Sequence, residues 1–301
     1  MKRALIAALF IHGFAFFANA QEDSLMNALI AGAPKTKDYT VATFKTTKNV
    51  NFQTVETAGK GNLVFWITHH FGDISSGPYG FWGLDGPAVI RLGLEYSPDG
   101  RLDVGVGRSS LDKLYDGYLK YKILRQTTDN KMPVTMTAFA SMSIITLNDP
   151  LALTNPTLDH YYYYSDRFNF VYQLMIARKF NSRFSLQLSP TIIHYNLVEN
   201  FTDQNNVYSL IGLARYKITQ SMALTAEYAL RPISYTADMS QYRNSAGVGF
   251  DIETGDHVFQ IFVTNSAGLS ETQNIAYSTN SWAKGQLMIG FNICRYFSLK
   301  K

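Results

Sequence analysis

The chain has 301 residues, of which 46% are apolar, 14% aromatic and only 17% charged, where a soluble globular domain carries about 25% charge. Its 19 Tyr and 20 Phe against 9 Pro and 21 Gly exclude a disordered, collagenous or low-complexity chain. Setting aside Lys2 and Arg3, the 27 basic residues fall to 25 against 23 acidic ones, and no basic run supports binding to nucleic acid.

Lys2 and Arg3 precede a fifteen-residue stretch, Ala4 to Ala18, that is interrupted only by His12 and Gly13. Ala18-Asn19-Ala20 is then a small-x-small cleavage site before Gln21. This pattern predicts a secretory signal peptide over residues 1–20, too short for a membrane anchor. Cys294 is the one cysteine, so an exported chain of this sequence has no internal disulfide, and the thiol reads as a small side chain at a crowded position. Next come residues 21–60, expected to form a separate N-terminal segment. Leu25, Met26, Leu29 and Ile30 have helical spacing, and Tyr39 to Thr57 is Thr-rich and polar. An extended polar stretch has no place in a lipid-facing wall, so it either hangs in the periplasm or enters a barrel as a partial plug.

From residue 61 to 301 the dominant signal is alternation with period two, in segments of about ten residues. Twelve such segments are expected near 61–71, 87–97, 101–109, 114–124, 132–145, 167–180, 183–195, 206–218, 221–231, 243–253, 256–264 and 286–298. In the ninth, Met222, Leu224, Ala226, Tyr228 and Leu230 oppose Thr225, Glu227 and Arg231. In the tenth, Ala246, Val248, Phe250 and Ile252 oppose Ser245, Gly247, Gly249, Asp251 and Glu253. The connections after even segments are mostly tight, as in Ser97-Pro98-Asp99-Gly100, Asn181-Ser182 and Thr254-Gly255, with the residues that hairpin turns require. Those after odd segments are mostly long, notably 72–86, 146–166, 196–205, 232–242 and 265–285.

An even number of alternating strands with short turns at one end and long loops at the other predicts an all-β fold, a closed antiparallel transmembrane β-barrel of about twelve strands in the bacterial outer membrane. Closure is what satisfies the backbone in lipid. A soluble β-sandwich or lipocalin-like barrel also alternates, but it calls for charge well above that observed. Tyr115, Tyr118, Tyr121, Phe180, Phe184, Tyr195, Tyr208, Tyr216, Tyr296 and Phe297 gather near strand ends, where interfacial girdles form. The run Tyr161 to Tyr164 reads as girdle or loop packing, with a sugar-stacking platform as the alternative.

The same alternation nominates lumen-lining residues: Arg91, Glu95, Arg101, Asp103, Asp116, Lys120, Lys122, Arg215, Lys217, Glu227, Arg231, Asp251 and Glu253. Charges of both signs there suit a transport path or a cross-bracing network. A small inner-face change such as Gly249→Ser is expected to be mild. Adjacent strand residues face opposite ways, so His69 and His70 cannot readily share a metal, and no Cys/His spacing suggests zinc. No metal or cofactor is therefore expected. An outer-membrane hydrolase remains an alternative, with His69 and His194 near strand ends, but no catalytic residue emerges because no His precedes a Ser-Asn-Gly pattern.

From about Val41 to Leu299 the chain resembles a family of bacterial outer-membrane β-barrel proteins whose function is unassigned. The resemblance rests on Val55-Glu56-Thr57-Ala58-Gly59-Lys60-Gly61, Gly83-Leu84-Asp85-Gly86, Gly105-Val106-Gly107-Arg108-Ser109 with Tyr115-Asp116-Gly117, and Ile176-Ala177-Arg178-Lys179-Phe180. Asp251 to Gln260 and Gly290-Phe291-Asn292-Ile293 complete it. It implies a fold and a compartment but no functional residues. The chain end also resembles the aromatic-terminated strand that barrel-assembly machinery recognises, with Phe297 as the terminal aromatic. The expected partners are outer-membrane lipid and that machinery, with a periplasmic partner as a further candidate; oligomeric state is left open. The functional expectation is a small-solute pore or transporter partly plugged by its N-terminal segment, the alternative being a non-transporting scaffold for a periplasmic or surface partner.

Overall fold

A computed structural model describes residues 38–149, 161–198, 200 and 202–299 of the chain. The signal-peptide stretch and the helically spaced Leu25 to Ile30 lie outside the described residues. Twelve strands form: β1 (Asn62–Asp73), β2 (Val89–Ser97), β3 (Leu102–Ser109), β4 (Tyr115–Leu124), β5 (Thr135–Ile144) and β6 (Phe168–Lys179). They continue as β7 (Phe184–Tyr195), β8 (Asn206–Lys217), β9 (Met222–Leu230), β10 (Ser245–Thr254), β11 (His257–Thr264) and β12 (Met288–Ser298). Each strand pairs with its sequence neighbours, and β1 pairs antiparallel with β12 to close the barrel. Closure leaves no free sheet edge, which a lipid environment would not tolerate. Each strand lies within three residues of the segment expected from alternation.

The outward face carries the apolar stripe. Leu224 and Phe250, partners across the β9–β10 pair, are exposed, as are Leu92, Leu94, Val106, Leu188 and Ile261. Most of the expected girdle aromatics also face outward, among them Tyr115, Tyr121, Phe180, Tyr208, Tyr216 and Phe297. Three do not. Tyr118 and Tyr195 are buried inside, and Tyr296 packs on an inner cluster of Ala58, Val64, Trp66 and Cys294. Strand parity overrides proximity to a strand end: Tyr118 shares its face with Asp116 and Lys120, and Tyr296 shares its face with Asn292 and Cys294.

Short turns at 98–101, 180–183, 218–221 and 255–256 lie at one end, with a longer one at 125–134. Of the longer connections, the described residues 145–149, 161–167, 196–198, 202–205, 231–244 and 265–287 lie at the other, where the β1–β2 loop folds into 3-10 turns over Ile74–Gly83. Gly83 there has φ +87°, and a Cβ on it would stand 2.2 Å from the Gly72 carbonyl oxygen. Only glycine fits both the left-handed backbone and that approach.

Inner-face glycines also make room for large neighbours. A Cβ on Gly290 would meet the Phe262 ring at 2.4 Å, and one on Gly249 would meet Phe262 Cβ at 2.6 Å and the Ile261 carbonyl at 2.7 Å. Phe262 is thus seated between two glycines, with its ring edge-on to His70 at 5.3 Å. This corrects the expectation for Gly249→Ser. The substitution should destabilise the barrel by about 1–3 kcal/mol through overpacking. Urea unfolding in bilayers, followed by tryptophan fluorescence, checks it; a midpoint equal to that of the parent protein would show that the site relaxes freely.

Candidate functional site

The lumen is the part of the molecule where polar residues converge. Residues 43–58 lie within it. The chain reaches the turn end of the barrel at Tyr39, which bridges to Thr127 while Thr40 N donates to the Gln126 carbonyl at 2.8 Å. It then folds back on itself. Asn49 N donates to the Phe52 carbonyl at 2.8 Å, Thr54 N donates to the Thr47 carbonyl at 2.9 Å, and Lys48 bridges to Gln53. The result is a small hairpin, tipped by Val50 and Asn51, whose second arm leads through Gly59 and Gly61 into β1.

An irregular hairpin inside a barrel leaves backbone groups unpaired, and the inner wall supplies the partners. Asn51 N donates to Glu227 Oε1 at 3.0 Å, Val55 N to Gln187 Oε1 at 2.8 Å, and Ala58 N to Asp103 Oδ2 at 2.9 Å. In the other direction Lys120 Nζ donates to the Thr47 carbonyl at 3.0 Å, Gln187 Nε2 to the Gln53 carbonyl at 2.9 Å, and Asn292 Nδ2 to the Val50 carbonyl at 2.9 Å. Lys122 pairs with Glu56 at 3.0 Å, and Lys45 pairs with Glu253 at 2.8 Å.

The nominated wall residues therefore divide by what they touch. Glu95, Asp103, Lys120, Lys122, Glu227 and Glu253 hold the hairpin. Arg91 and Asp116 form a two-point pair across the wall, with Nε 2.8 Å from Oδ1. Arg215 bridges Asp251 at 3.3 Å and Glu253 at 2.9 Å. Arg231 instead reaches two loops, donating to Tyr235 Oη in the β9–β10 loop at 2.8 Å and to the Ala276 carbonyl in the β11–β12 loop at 2.9 Å. Lys217 is half-buried at the end of β8. Arg101 departs from the expectation: it stands before β3, in the turn, and is exposed. Its neighbour Asp99 accepts from the Arg101 and Leu102 amides, so the turn closes one residue later than alternation implied.

Neutral wall residues escaped nomination although their signal lay in the same alternation. Gln187, Gln260, Asn292, Thr137 and Thr264 all bond the hairpin. A second departure is that the wall is not polar all round. Along β5–β8, Phe139, Val171, Met175, Ile193, Ile211 and Leu213 face inward and pack with Phe44, Phe52 and Val55 of the hairpin. On that side the interior is a protein core rather than an aqueous wall.

From the loop end the β11–β12 loop also turns inward. Leu269 to Thr272 and Asn274 to Ala276 are buried around a short helix, α1 (Glu271–Ile275). Lys48 Nζ donates to the Leu269 carbonyl at 3.2 Å, and Tyr195 Oη to the Thr272 carbonyl at 2.6 Å. Burial raises the Glu271 carboxyl above its ordinary range, and burial pushes the Tyr235 hydroxyl up to about 12. Tyr235 accordingly remains a donor, bonded to the Ala276 carbonyl. Where hairpin and loop meet, the cavity left is about 20 Å³, room for roughly one water.

Concavities remain at both ends. One of about 510 Å³ opens at the loop end, lined by Asp112, Tyr161, Asp166, Gln273 and Tyr277 among others. One of about 360 Å³ opens at the turn end beside Lys45, Glu56 and Asp256. His69 is on the outer face, stacked on Phe291 at 5.0 Å, whereas His70 is buried inside. His194 bonds Asn206 at 2.8 Å. Among the described residues no His, Cys, Asp or Glu cluster could hold a metal ion. No helix of the described residues is long and apolar enough to cross a membrane.

These features define a closed, twelve-stranded membrane barrel with a hairpin and a loop folded into its lumen. The family described as "Membrane bound beta barrel domain (DUF5777)" matches residues 44–297, and the chain belongs to that family. Among curated proteins none matches the sequence. Among solved structures it is similar to the NanC porin, with 8% identity and a TM-score of 0.47 over 79% of this chain and 100% of that one. It is also similar to the KdgM porin, at 10% identity and a TM-score of 0.45 over 78% and 99% of the two chains. A third similar structure is outer membrane phospholipase A from Escherichia coli, at 11% identity and a TM-score of 0.42 over 89% and 95%.

Proposed function

We propose that the protein is an outer-membrane channel for a small solute, closed at rest by hairpin 43–58 and opened when that hairpin withdraws towards the periplasm. The turn end then faces the periplasm, as short turns do in such barrels, and the signal peptide, cleaved at Ala20, delivers the chain there. The observation that carries this reading is the pair of end cavities, about 510 Å³ and 360 Å³, separated by the hairpin and the β11–β12 loop. Most wall groups that hold the hairpin are hydrophilic and can exchange it for water. The channel reading assigns no catalytic residue.

A specific observation favours a second reading, a non-transporting scaffold. Phe44, Phe52 and Val55 are at most 2% exposed, and withdrawing each from its core sacrifices about 1.5–3 kcal/mol. Single-channel recording separates the two. The full-length protein should show near-zero conductance and a variant lacking residues 21–57 stepwise openings. Near-zero conductance in both would remove the channel and leave the scaffold.

A further inference from the structure

The outward wall carries a hollow that the lumen does not account for. Across β6–β9 the strand register sets Arg178, Leu186, Ala214 and Ala226 side by side in one row, and Ile176, Leu188, Gly212 and Tyr228 in the next. Neighbouring strands lie about 4.8 Å apart. Three small residues in adjoining positions, Gly212, Ala214 and Ala226, therefore leave the surface low between Leu186 and Leu188 on one side and Tyr228 on the other. The cavity so formed holds about 440 Å³, within the range of roughly 300–1,000 Å³ typical of small-molecule sites. Its outward side chains are apolar apart from the Tyr228 hydroxyl, which accepts from Asn244 Nδ2 at 2.8 Å, and the Arg178 guanidinium.

Arg178 stands at the edge of the hollow nearest the turns, next to last in β6. Of its five N–H donors, one is directed at Asn130 Oδ1, at 3.5 Å, and Nε is enclosed and meets no acceptor among the described residues. The guanidinium lies 5.5 Å from the Phe180 ring centroid, and no carboxylate pairs with it among the described residues. The turns at that end of β5–β9 add Arg125, Lys131 and Arg183 against a single acid, Asp129, which already pairs with Lys131 at 3.5 Å. A cation on a lipid-facing wall meets its complement in the headgroup phosphates, and a guanidinium matches phosphate with two parallel N–H···O bonds. Arg295 provides the contrast. It also faces outward at the turn end, 4.7 Å from the Phe297 ring centroid, but takes no part in lining the hollow.

We propose that the hollow seats one anionic phospholipid of the leaflet at the turn end, its phosphate on Arg178 and an acyl chain over Gly212, Ala214 and Ala226. The site does not depend on an open lumen, and a closed scaffold in the same membrane would hold the lipid equally. Native mass spectrometry of the full-length protein, equilibrated in detergent with equimolar phosphatidylglycerol and phosphatidylethanolamine, tests it. Each barrel should retain one phosphatidylglycerol in about fivefold preference to phosphatidylethanolamine, the effect of one basic side chain on an anionic headgroup. Arg178→Gln should cut that retention by a similar factor, whereas Arg295→Gln should leave it unchanged. Ala214→Leu, which fills the hollow from the lipid side, should remove the retained lipid while heat-modifiable gel mobility shows the barrel still folded. Equal retention of the two lipids by the parent protein, equal losses in the two arginine variants, or lipid still held by Ala214→Leu would overturn the proposal. So would a dimer in place of the lipid, dissolved by Ala214→Leu, since the face would then belong to a second copy of the chain.

Discussion

Lys120→Met should destabilise the barrel by about 3–5 kcal/mol and free hairpin 43–58 for proteolysis. The side chains of Lys120 and Glu95 are both 0% exposed, with Nζ 3.6 Å from Oε1. The same ammonium bonds the Thr47 and Glu56 carbonyls, and Glu95 Oε2 accepts from Thr47 Oγ1 at 2.5 Å. Methionine keeps the volume but removes the charge and its three donors. Glu95 then stays buried without its cation, beside Asp103, and two hairpin carbonyls lose their donor. Removing one partner of a buried pair costs that much because the other stays desolvated and uncompensated. Adding Glu95→Gln to Lys120→Met should recover a substantial part of the loss. Urea unfolding in lipid vesicles measures the stability, and limited proteolysis of residues 43–58 reads the hairpin. A loss below about 1 kcal/mol with the hairpin still protected would show that this pair does not anchor it.

Phe250→Arg or Leu224→Arg should each cost about 2–4 kcal/mol in a bilayer, against about 0–1 kcal/mol for Thr254→Arg. The three positions are exposed on the same outward face. Phe250 and Leu224 pair with each other in the body of β9–β10, whereas Thr254 ends β10 beside the turn. The cost therefore reports depth in the membrane, because an arginine near the edge reaches the headgroups and one near the midplane does not. Equal unfolding free energies for all three variants in phosphatidylcholine vesicles would contradict the membrane placement of this wall.

How far the sequence went is set by the range of each interaction. The pleat has a period of two residues, so lipid contact on one face imprints itself directly on residue order. For that reason all twelve strands, their turns and the outward faces of Leu224 and Phe250 were legible from alternation alone. Parity also placed Arg91, Glu95 and Asp251 inside. What it could not assign were partners. Arg91 meets Asp116 25 residues away, across β3, and Asn292 meets Val50 242 residues away, pairings that exist only once the strands have assembled. The Thr-rich stretch before β1 carried no pattern to show which wall groups would take up its amides. Nor did inward apolar residues such as Met175 and Ile211 make sense until Phe52 and Val55 were seen to pack on them. Gly249 looked replaceable as a small inner residue, yet the space beside it belongs to Phe262 of the next strand. Local order thus determined the wall and its orientation. The filling of the lumen was decided by tertiary structure, because its contacts with the wall join segments far apart in sequence that only the assembled barrel brings together.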